Sequence, residues 1–168
     1  MSAKLPIVAV VGRPNVGKST FFNRILGRKQ AIVDDRPGVT RDRNFARADW
    51  SGREFFIVDT GGVIEGSDDP LDRAVREQAL AAVAEADVIL FLVDAKEGPH
   101  PMDERIAEIL RKAHKPVLLV VNKVDNMGRP TETSWHDFWS LGIGEPIPVA
   151  ASSGKGTGDL LDLSLIHI

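Results

Sequence analysis

Short apolar runs alternate with helix-like periodic segments along the whole chain. The runs are four to six residues long, rich in β-branched side chains and bounded by Gly, Pro or Asp, which is typical of buried parallel strands. They cover residues 7–11, 55–58, 88–93 and 117–121. Between them, apolar residues recur at helical spacing in 18–26, 71–86 and 102–113. A strand followed by a helix, repeated, predicts an α/β fold with helices on both faces of a sheet.

One segment has a different period. Polar and apolar residues alternate over 43–50, and Ser51-Gly52 then returns the chain into the apolar run that follows. This pattern predicts a hairpin, whose first strand is an antiparallel edge on a mostly parallel sheet, for which we expect six strands in all. Residues 27–42 and 61–70 show no clear period and are charged loops punctuated by Gly and Pro, the kind of segment that carries function on a rigid scaffold.

The composition fits one ordinary globular domain. The chain has 168 residues, of which 43% are hydrophobic and 27% charged, so disorder and coiled coil are excluded. The longest apolar run near the N-terminus ends at Gly12, well short of the ~20 residues that a membrane span needs. With no cysteine there is no disulfide or thiolate metal site, which suits a reducing cytosol. We therefore expect a cytoplasmic protein with no membrane partner.

Charge is distributed unevenly. The net charge is -3, but residues 1–53 carry +7 and residues 54–168 carry -10. The basic part favours an anionic partner, either a polyphosphate or RNA. The alternative is that these side chains simply form a solvated surface.

The first motif is Gly-Arg-Pro-Asn-Val-Gly-Lys-Ser, from Gly12 to Ser19, between a predicted strand and a predicted helix. That context is the one a phosphate-binding P-loop requires. The glycines let the backbone approach a phosphate, and the loop amides and helix N-terminus present positive dipole to it. Lys18 is predicted to reach the β- and γ-phosphates, and the Ser19 hydroxyl to bind Mg²⁺.

Two further motifs follow predicted strands. Asp59-Thr-Gly-Gly places a carboxylate where it can hold Mg²⁺ through water, with the Gly62 amide near the γ-phosphate. Asn122-Lys-Val-Asp places Asp125 to accept two hydrogen bonds from guanine, which adenine cannot offer together. Lys123 can cover the base with its aliphatic stem, and Asn122 can tie this loop to the P-loop. Either motif alone could be a simple turn.

Together the three motifs resemble the signature boxes of translation-factor-related GTPases. The words Gly-Arg-Pro-Asn-Val-Gly-Lys-Ser-Thr, Pro-Gly-Val-Thr-Arg-Asp-Arg at 37–43 and Asp-Thr-Gly-Gly closely resemble the first GTPase domain of the Der (EngA) family of bacterial ribosome-assembly GTPases. The resemblance runs from about Ile7 to Asp162. It implies a P-loop NTPase fold, GTP hydrolysis, GTP, GDP and Mg²⁺ as ligands, and the 50S ribosomal subunit and its rRNA as partners, with no role for DNA.

The resemblance also assigns roles to single residues. Thr40 matches the switch threonine that binds Mg²⁺ and senses the γ-phosphate, so that Lys18, Thr40 and Gly62 form the catalytic set. Asn15 matches a P-loop asparagine that holds a potassium ion. Val63 stands where signalling GTPases carry a water-positioning Gln, which implies slow, potassium-stimulated turnover. The predicted nucleotide-binding residues are Gly12, Asn15, Val16, Gly17, Lys18, Ser19, Thr20, Asp59, Gly62, Asn122, Lys123, Asp125, Ala151 and Ser152.

The chain departs from the family pattern in two respects. Ala150 replaces the usual Ser of the fifth box, although the Ala151 amide can still meet guanine O6. We expect residues 1–162 to be a single GTP-binding domain, without the downstream domains through which the family is expected to meet the ribosome. The last residues, 163–168, do not continue the amphipathic pattern begun at Gly158, so we expect a truncated or foreign tail.

Two alternative functions remain open at this stage. One is a regulatory GTP-binding module whose hydrolysis is incidental, and the other is a related potassium-dependent GTPase of tRNA modification. The helically spaced Trp135, Phe138 and Trp139 are interpreted as packing residues. The histidines at 100, 114 and 136 lack a spacing suited to metal binding, and no role is assigned to them.

Overall fold

The computed structural model describes residues 5–13, 16–26, 44–50, 52–59, 71–122, 134–149 and 160. Its strands are β1 (Ile7–Val11), β2 (Asn44–Trp50), β3 (Arg53–Asp59), β4 (Val88–Asp94), β5 (Val117–Asn122) and β6 (Ile147–Pro148). Its helices are α1 (Lys18–Leu26), α2 (Leu71–Glu85), α3 (Pro101–Lys112) and a 3₁₀ helix over Ser134–Leu141. The elements predicted from the hydrophobic pattern are present, with ends displaced by two residues at most. Within these ranges no helix has the length and apolar character needed to cross a membrane.

All six strands form one sheet in the order β2-β3-β1-β4-β5-β6. β2 is antiparallel to β3, with Asn44 opposite Asp59 and Trp50 opposite Arg53, and every other pair is parallel. Gly52, at φ +78°, lies between the two antiparallel strands. The predicted fold class, including the antiparallel edge, is therefore confirmed, and β2 begins one residue later than the pattern suggested.

The sheet is buried on both faces, as a continuous apolar strand requires. Every residue of β4 is buried, and its side chains alternate between two core clusters. Leu90 and Leu92 pack with Phe21 and Phe22 of α1 on one face, in the cluster that also holds Leu160. The other face carries α2, α3 and the 3₁₀ helix, in a cluster whose side chains include Ile89, Phe91, Val93, Ile106, Leu110 and Phe138. Helices on both faces position the strand ends rigidly.

Two side chains differ from the interpretation of their sequence. His100, to which no role was assigned, is the N-cap of α3: its Nδ1 accepts a hydrogen bond from Met102 N at 3.0 Å, and Asp103 accepts one from His100 N at 3.0 Å. Phe138 is fully buried, as a packing residue should be, whereas Trp139 is 52% exposed and is not a packing residue. The Trp135 side chain lies outside the described part of the chain.

Candidate nucleotide-binding site

The described starts of the three predicted motifs lie at one edge of the sheet. β1, β3, β4 and β5 are parallel, and in register Val10 lies opposite Asp59, Val11 opposite Phe91, and Asp94 opposite Asn122. The carboxyl ends of all four strands therefore point the same way. This edge is where ligands bind in open α/β sheets.

Lys18 lies buried at the start of α1, and its side chain turns back over the loop that precedes it. Its Nζ donates a hydrogen bond to Gly12 O at 2.6 Å and another to Gln78 Oε1 of α2 at 3.3 Å. The ammonium group thus closes the loop between Gly12 and α1. A buried cation at this position is suited to an anionic ligand.

Gly17 is required by its neighbour on β5. Its φ is +96°, and a Cβ built on it would lie 2.4 Å from Nδ2 of Asn122. The Asn122 amide is buried and donates a hydrogen bond to Val16 O at 2.9 Å. This is the contact with the P-loop that the sequence predicted for Asn122. Only glycine fits here, because any side chain would displace that amide.

Gly12 is required by β4. A Cβ at this position would lie 2.6 Å from Leu92 O and 3.1 Å from Cγ2 of Val16. The sequence motif predicts one role for the glycines, the close approach of backbone to phosphate. The structure adds another, since the loop passes within contact distance of the neighbouring strand.

The N-terminus of α1 faces the same edge. Phe21 N donates to Gly17 O at 2.9 Å, and no acidic side chain occupies the first turn, so the helix dipole is not cancelled there. Phe21 and Phe22 are buried and fix the helix against the sheet. Backbone N–H groups at a helix N-terminus favour an anion placed before the helix.

The backbone positions of the two predicted Mg²⁺ ligands are at the start of α1 and the end of β3. Ser19 is the second residue of α1, and Asp59 is the last residue of β3, next to β1 in the sheet. Hydroxyl and carboxylate oxygens are the ligands that Mg²⁺ prefers. Val16 is buried behind the loop and Thr20 is exposed on the first turn of α1.

Seven residues of the predicted site lie outside the described ranges, and no geometry is assigned to them. They are Asn15, Thr40, Gly62, Lys123, Asp125, Ala151 and Ser152. Val63 and Ala150 also lie outside. The described site therefore consists of the P-loop, the end of β3 and the end of β5.

Arg13, which follows Gly12 directly, is not among the predicted site residues, although it lies in the P-loop motif. Its side chain is only 7% exposed, with Nη2 2.6 Å from Oε2 of Glu97 and Nε 3.4 Å from Oδ1 of Asp103. Burial raises the pKa of the Asp103 carboxyl to about 6, and the positive charge of Arg13 limits the rise. The sequence shows an arginine within the P-loop motif, but not the two carboxylates that lie against it.

Comparison with known families agrees with this geometry. The model of the family described as "50S ribosome-binding GTPase" matches residues 7–123, more than half of the chain. Among curated proteins, GTPase Der of Lactobacillus delbrueckii subsp. bulgaricus is 60% identical over 158 residues, which cover 94% of this chain and 36% of that protein. The chain thus spans little more than a third of the length of this relative.

Solved structures show the same architecture. A variant of Era from Aquifex aeolicus bound to GDP.AlF4- matches with a TM-score of 0.73 and 32% identity, over 99% of this chain and 57% of that one. Era in complex with MgGDPNP and nucleotides 1506–1542 of 16S ribosomal RNA matches with a TM-score of 0.73 and 33% identity, with the same coverage.

Proposed function

The chain belongs to the family of 50S ribosome-binding GTPases, and from that premise we propose that it binds GTP with Mg²⁺ and hydrolyses it to GDP and phosphate. One observation carries the proposal. The buried Lys18 ammonium lies 2.6 Å from Gly12 O, so that the loop before α1 closes around a positive charge at the ligand edge of the sheet. The N-terminus of α1 adds positive dipole at the same place.

Each described residue has a part in this reaction. Lys18 would contact the β- and γ-phosphates, and the α1 amides would cradle them. Ser19 and Asp59, one at the start of α1 and one at the end of β3, would hold Mg²⁺. The ion, when bound, neutralises charge on the phosphate oxygens as the bond to the γ-phosphate breaks.

The choice of guanine is proposed to lie at the end of β5. Asn122 is buried and holds Val16 O, so the residues that follow it begin at a fixed point beside the P-loop. From there Asp125 would accept two hydrogen bonds from guanine and Lys123 would cover the ring, with the Ala151 amide and Ser152 closing the far side. A carboxylate distinguishes guanine from adenine because only guanine offers two adjacent donors.

Hydrolysis is proposed to be slow and stimulated by potassium. Thr40 and the Gly62 amide would close on the γ-phosphate, and Asn15 would hold a potassium ion against the phosphates. Val63 cannot orient a water molecule, so the positive charge of Lys18, with that of Mg²⁺ and potassium when they are bound, would stabilise the transition state.

We further propose a cytoplasmic role in assembly of the large ribosomal subunit. The support is the family description and the 60% identity to a protein named GTPase Der. A chimaera tests this role: the present chain replaces the matching 158 residues of that Lactobacillus protein. The chimaera should co-sediment with 50S subunits in a GTP-dependent manner, and the Lys18→Ala version should not. Sedimentation that ignores the nucleotide would contradict the proposal.

The nucleotide assignment is tested on the chain itself. Fluorescent GDP, GTP and ATP are titrated in Mg²⁺, and release of phosphate from GTP is followed. We expect GDP and GTP to bind and ATP to bind about 100-fold more weakly, because two hydrogen bonds to a charged acceptor are lost. Arg47→Gln, on the exposed β2 edge, is the control and should behave as wild type. Equal binding of ATP would overturn the assignment.

A further inference from the structure

Arg13 is a buried charge within the P-loop to which the proposed reaction gives no task. It follows Gly12, two residues after β1 ends, and its side chain is 7% exposed. Arginine is almost never this deeply buried without a partner, since burial of an unpaired charge is costly. Its surroundings therefore indicate why it is there.

Both partners of Arg13 lie beyond β4. Glu97, in the connection between β4 and α3, has Oε2 2.6 Å from Arg13 Nη2 and a side chain that is 53% exposed. Asp103, in the first turn of α3, has Oδ1 3.4 Å from Arg13 Nε and is fully buried. The contact of Arg13 with Asp103 is therefore shielded from salt, whereas its contact with Glu97 is not.

Asp103 is itself held in place. One of its oxygens accepts a hydrogen bond from His100 N at 3.0 Å, which completes the cap of α3. Behind it, Ile106 and Leu110 anchor α3 in the core. The carboxylate that faces Arg13 is thus part of a rigid element.

The contacts are close but imperfectly aligned. Arg13 Nε, Arg13 Nη2 and Asp103 Oδ1 are buried without a hydrogen bond of good geometry. Buried polar atoms of this kind cost stability, so the cluster requires an explanation other than stability. Its place in the P-loop supplies one.

We propose that Arg13 is a positioning residue for the nucleotide: through Asp103 and Glu97 it fixes the start of the P-loop, at Gly12, against α3 and the connection before it, as Asn122 fixes Val16 against β5. Val16 O takes the hydrogen bond from Asn122, and Gly12, next to Arg13, takes the one from Lys18. Loss of the Arg13 anchor shifts Gly12 O and with it the Lys18 ammonium. The inference rests on the proposed binding of guanine nucleotide. It makes the affinity for that nucleotide depend on the connection between β4 and α3.

The test compares GDP affinity and thermal stability in a set of variants of the full chain. Arg13→Gln removes the charge, and Asp103→Asn keeps an oxygen to cap α3 but removes its charge. We expect each to raise the Kd for fluorescent GDP at least about fivefold, and the double variant to be no worse than Arg13→Gln alone, because Arg13→Gln already removes the contact with Asp103. Glu97→Gln should have a smaller effect that disappears in high salt.

Arg47→Gln is the matched control. It breaks an Arg–Glu pair with Glu54 on the exposed β2–β3 hairpin, so GDP binding should not change. All titrations are made well below the melting temperature of each variant. Arg13→Lys keeps the charge and should recover part of the affinity, which also covers the case in which Arg13→Gln does not fold.

Two outcomes separate this inference from the function on which it rests. If wild type binds GDP and folded Arg13→Gln binds it equally well, with only a lower Tm, Arg13 is merely structural and the inference is wrong. Full additivity of Arg13→Gln and Asp103→Asn would also overturn it. If the wild-type chain does not bind GDP, the proposed function fails and the inference fails with it.

Discussion

The amide of Asn122 donates a hydrogen bond of 2.9 Å to Val16 O, across 106 residues of sequence. This one contact joins the last residue of β5 to the loop before α1, and both groups are buried. It links the motif predicted to bind the guanine base to the motif predicted to bind the phosphates. Movement of either one must therefore disturb the other.

Removal of that amide should weaken both stability and binding. In Asn122→Ala the buried Val16 carbonyl loses its donor, which costs about 1–3 kcal/mol in the free energy of unfolding. We also expect weaker GDP binding, since the loop is no longer held against β5. Urea denaturation and titration with fluorescent GDP measure the two effects. Asn23→Ala, on the exposed face of α1, should change neither; an Asn122→Ala protein of wild-type affinity would show that the tie is dispensable.

Substitution of Gly17 should be far more harmful than substitution of another glycine with similar backbone. Gly17→Ala places a methyl group 2.4 Å from the Asn122 amide at φ +96°, whereas Gly52→Ala, at φ +78°, meets nothing within 4 Å. Positive φ alone costs an alanine about 1–2 kcal/mol. Gly52→Ala should lose that much stability and bind GDP normally, whereas Gly17→Ala should lose both stability and GDP binding. Chemical denaturation and GDP titration of the pair decide between steric and purely conformational effects.

Ionisation of Asp103 should lower stability as the pH rises. Its pKa is raised from 3.8 to about 6 by burial, so the folded state holds the proton more tightly than the unfolded state. The contribution is fully present below about pH 4 and is lost as the pH passes 6, a change of roughly 3 kcal/mol at most. Asp103→Asn lacks this titration. The unfolding free energy of wild type minus that of Asp103→Asn should therefore fall between pH 4.5 and 7.5, and a constant difference would contradict the assignment.

Exchange of the predicted base-reading carboxylate should change nucleotide preference. Asp125→Asn replaces an acceptor with a donor, so GTP should be lost and xanthosine triphosphate, which carries an oxygen where guanine has its amine, should be gained. The loss of GTP affinity should be at least about tenfold, as expected for hydrogen bonds to a charged group. Competition titrations with both nucleotides measure it. Asp137→Asn, exposed on the 3₁₀ helix, is the control.

Potassium should accelerate GTP hydrolysis if Asn15 holds the ion. Turnover is measured with potassium and then with sodium at constant ionic strength, because general screening would otherwise imitate the effect. We expect faster turnover in potassium, and loss of the preference in Asn15→Ala with nucleotide binding largely retained. Val63→Gln should not rescue Asn15→Ala, since a neutral side chain does not replace the missing cation. Equal turnover of wild type in the two salts would exclude the potassium mechanism.

The sequence alone predicted five of the six strands and the three α-helices, and it indicated phosphate binding, because both signals lie in local patterns. Continuous apolar runs predicted β1, β4 and β5 to within a residue, and the alternation before Ser51-Gly52 predicted the antiparallel edge. Likewise, a glycine-rich loop between a strand and a helix indicated phosphate binding before any fold was known. These signals depend on neighbours within a few residues.

Contacts between distant segments were decided only by the tertiary structure. Arg13 meets Asp103 because β1 lies beside β4, and Gly17 must be glycine because β5 brings Asn122 against it. Likewise, Phe138 is buried and Trp139 exposed, although helical spacing treated them alike. Hydrophobic periodicity specifies which face of an element is buried but not which element covers it. The order of strands in the sheet decides which element covers that face. It also brings together side chains that no local sequence pattern connects.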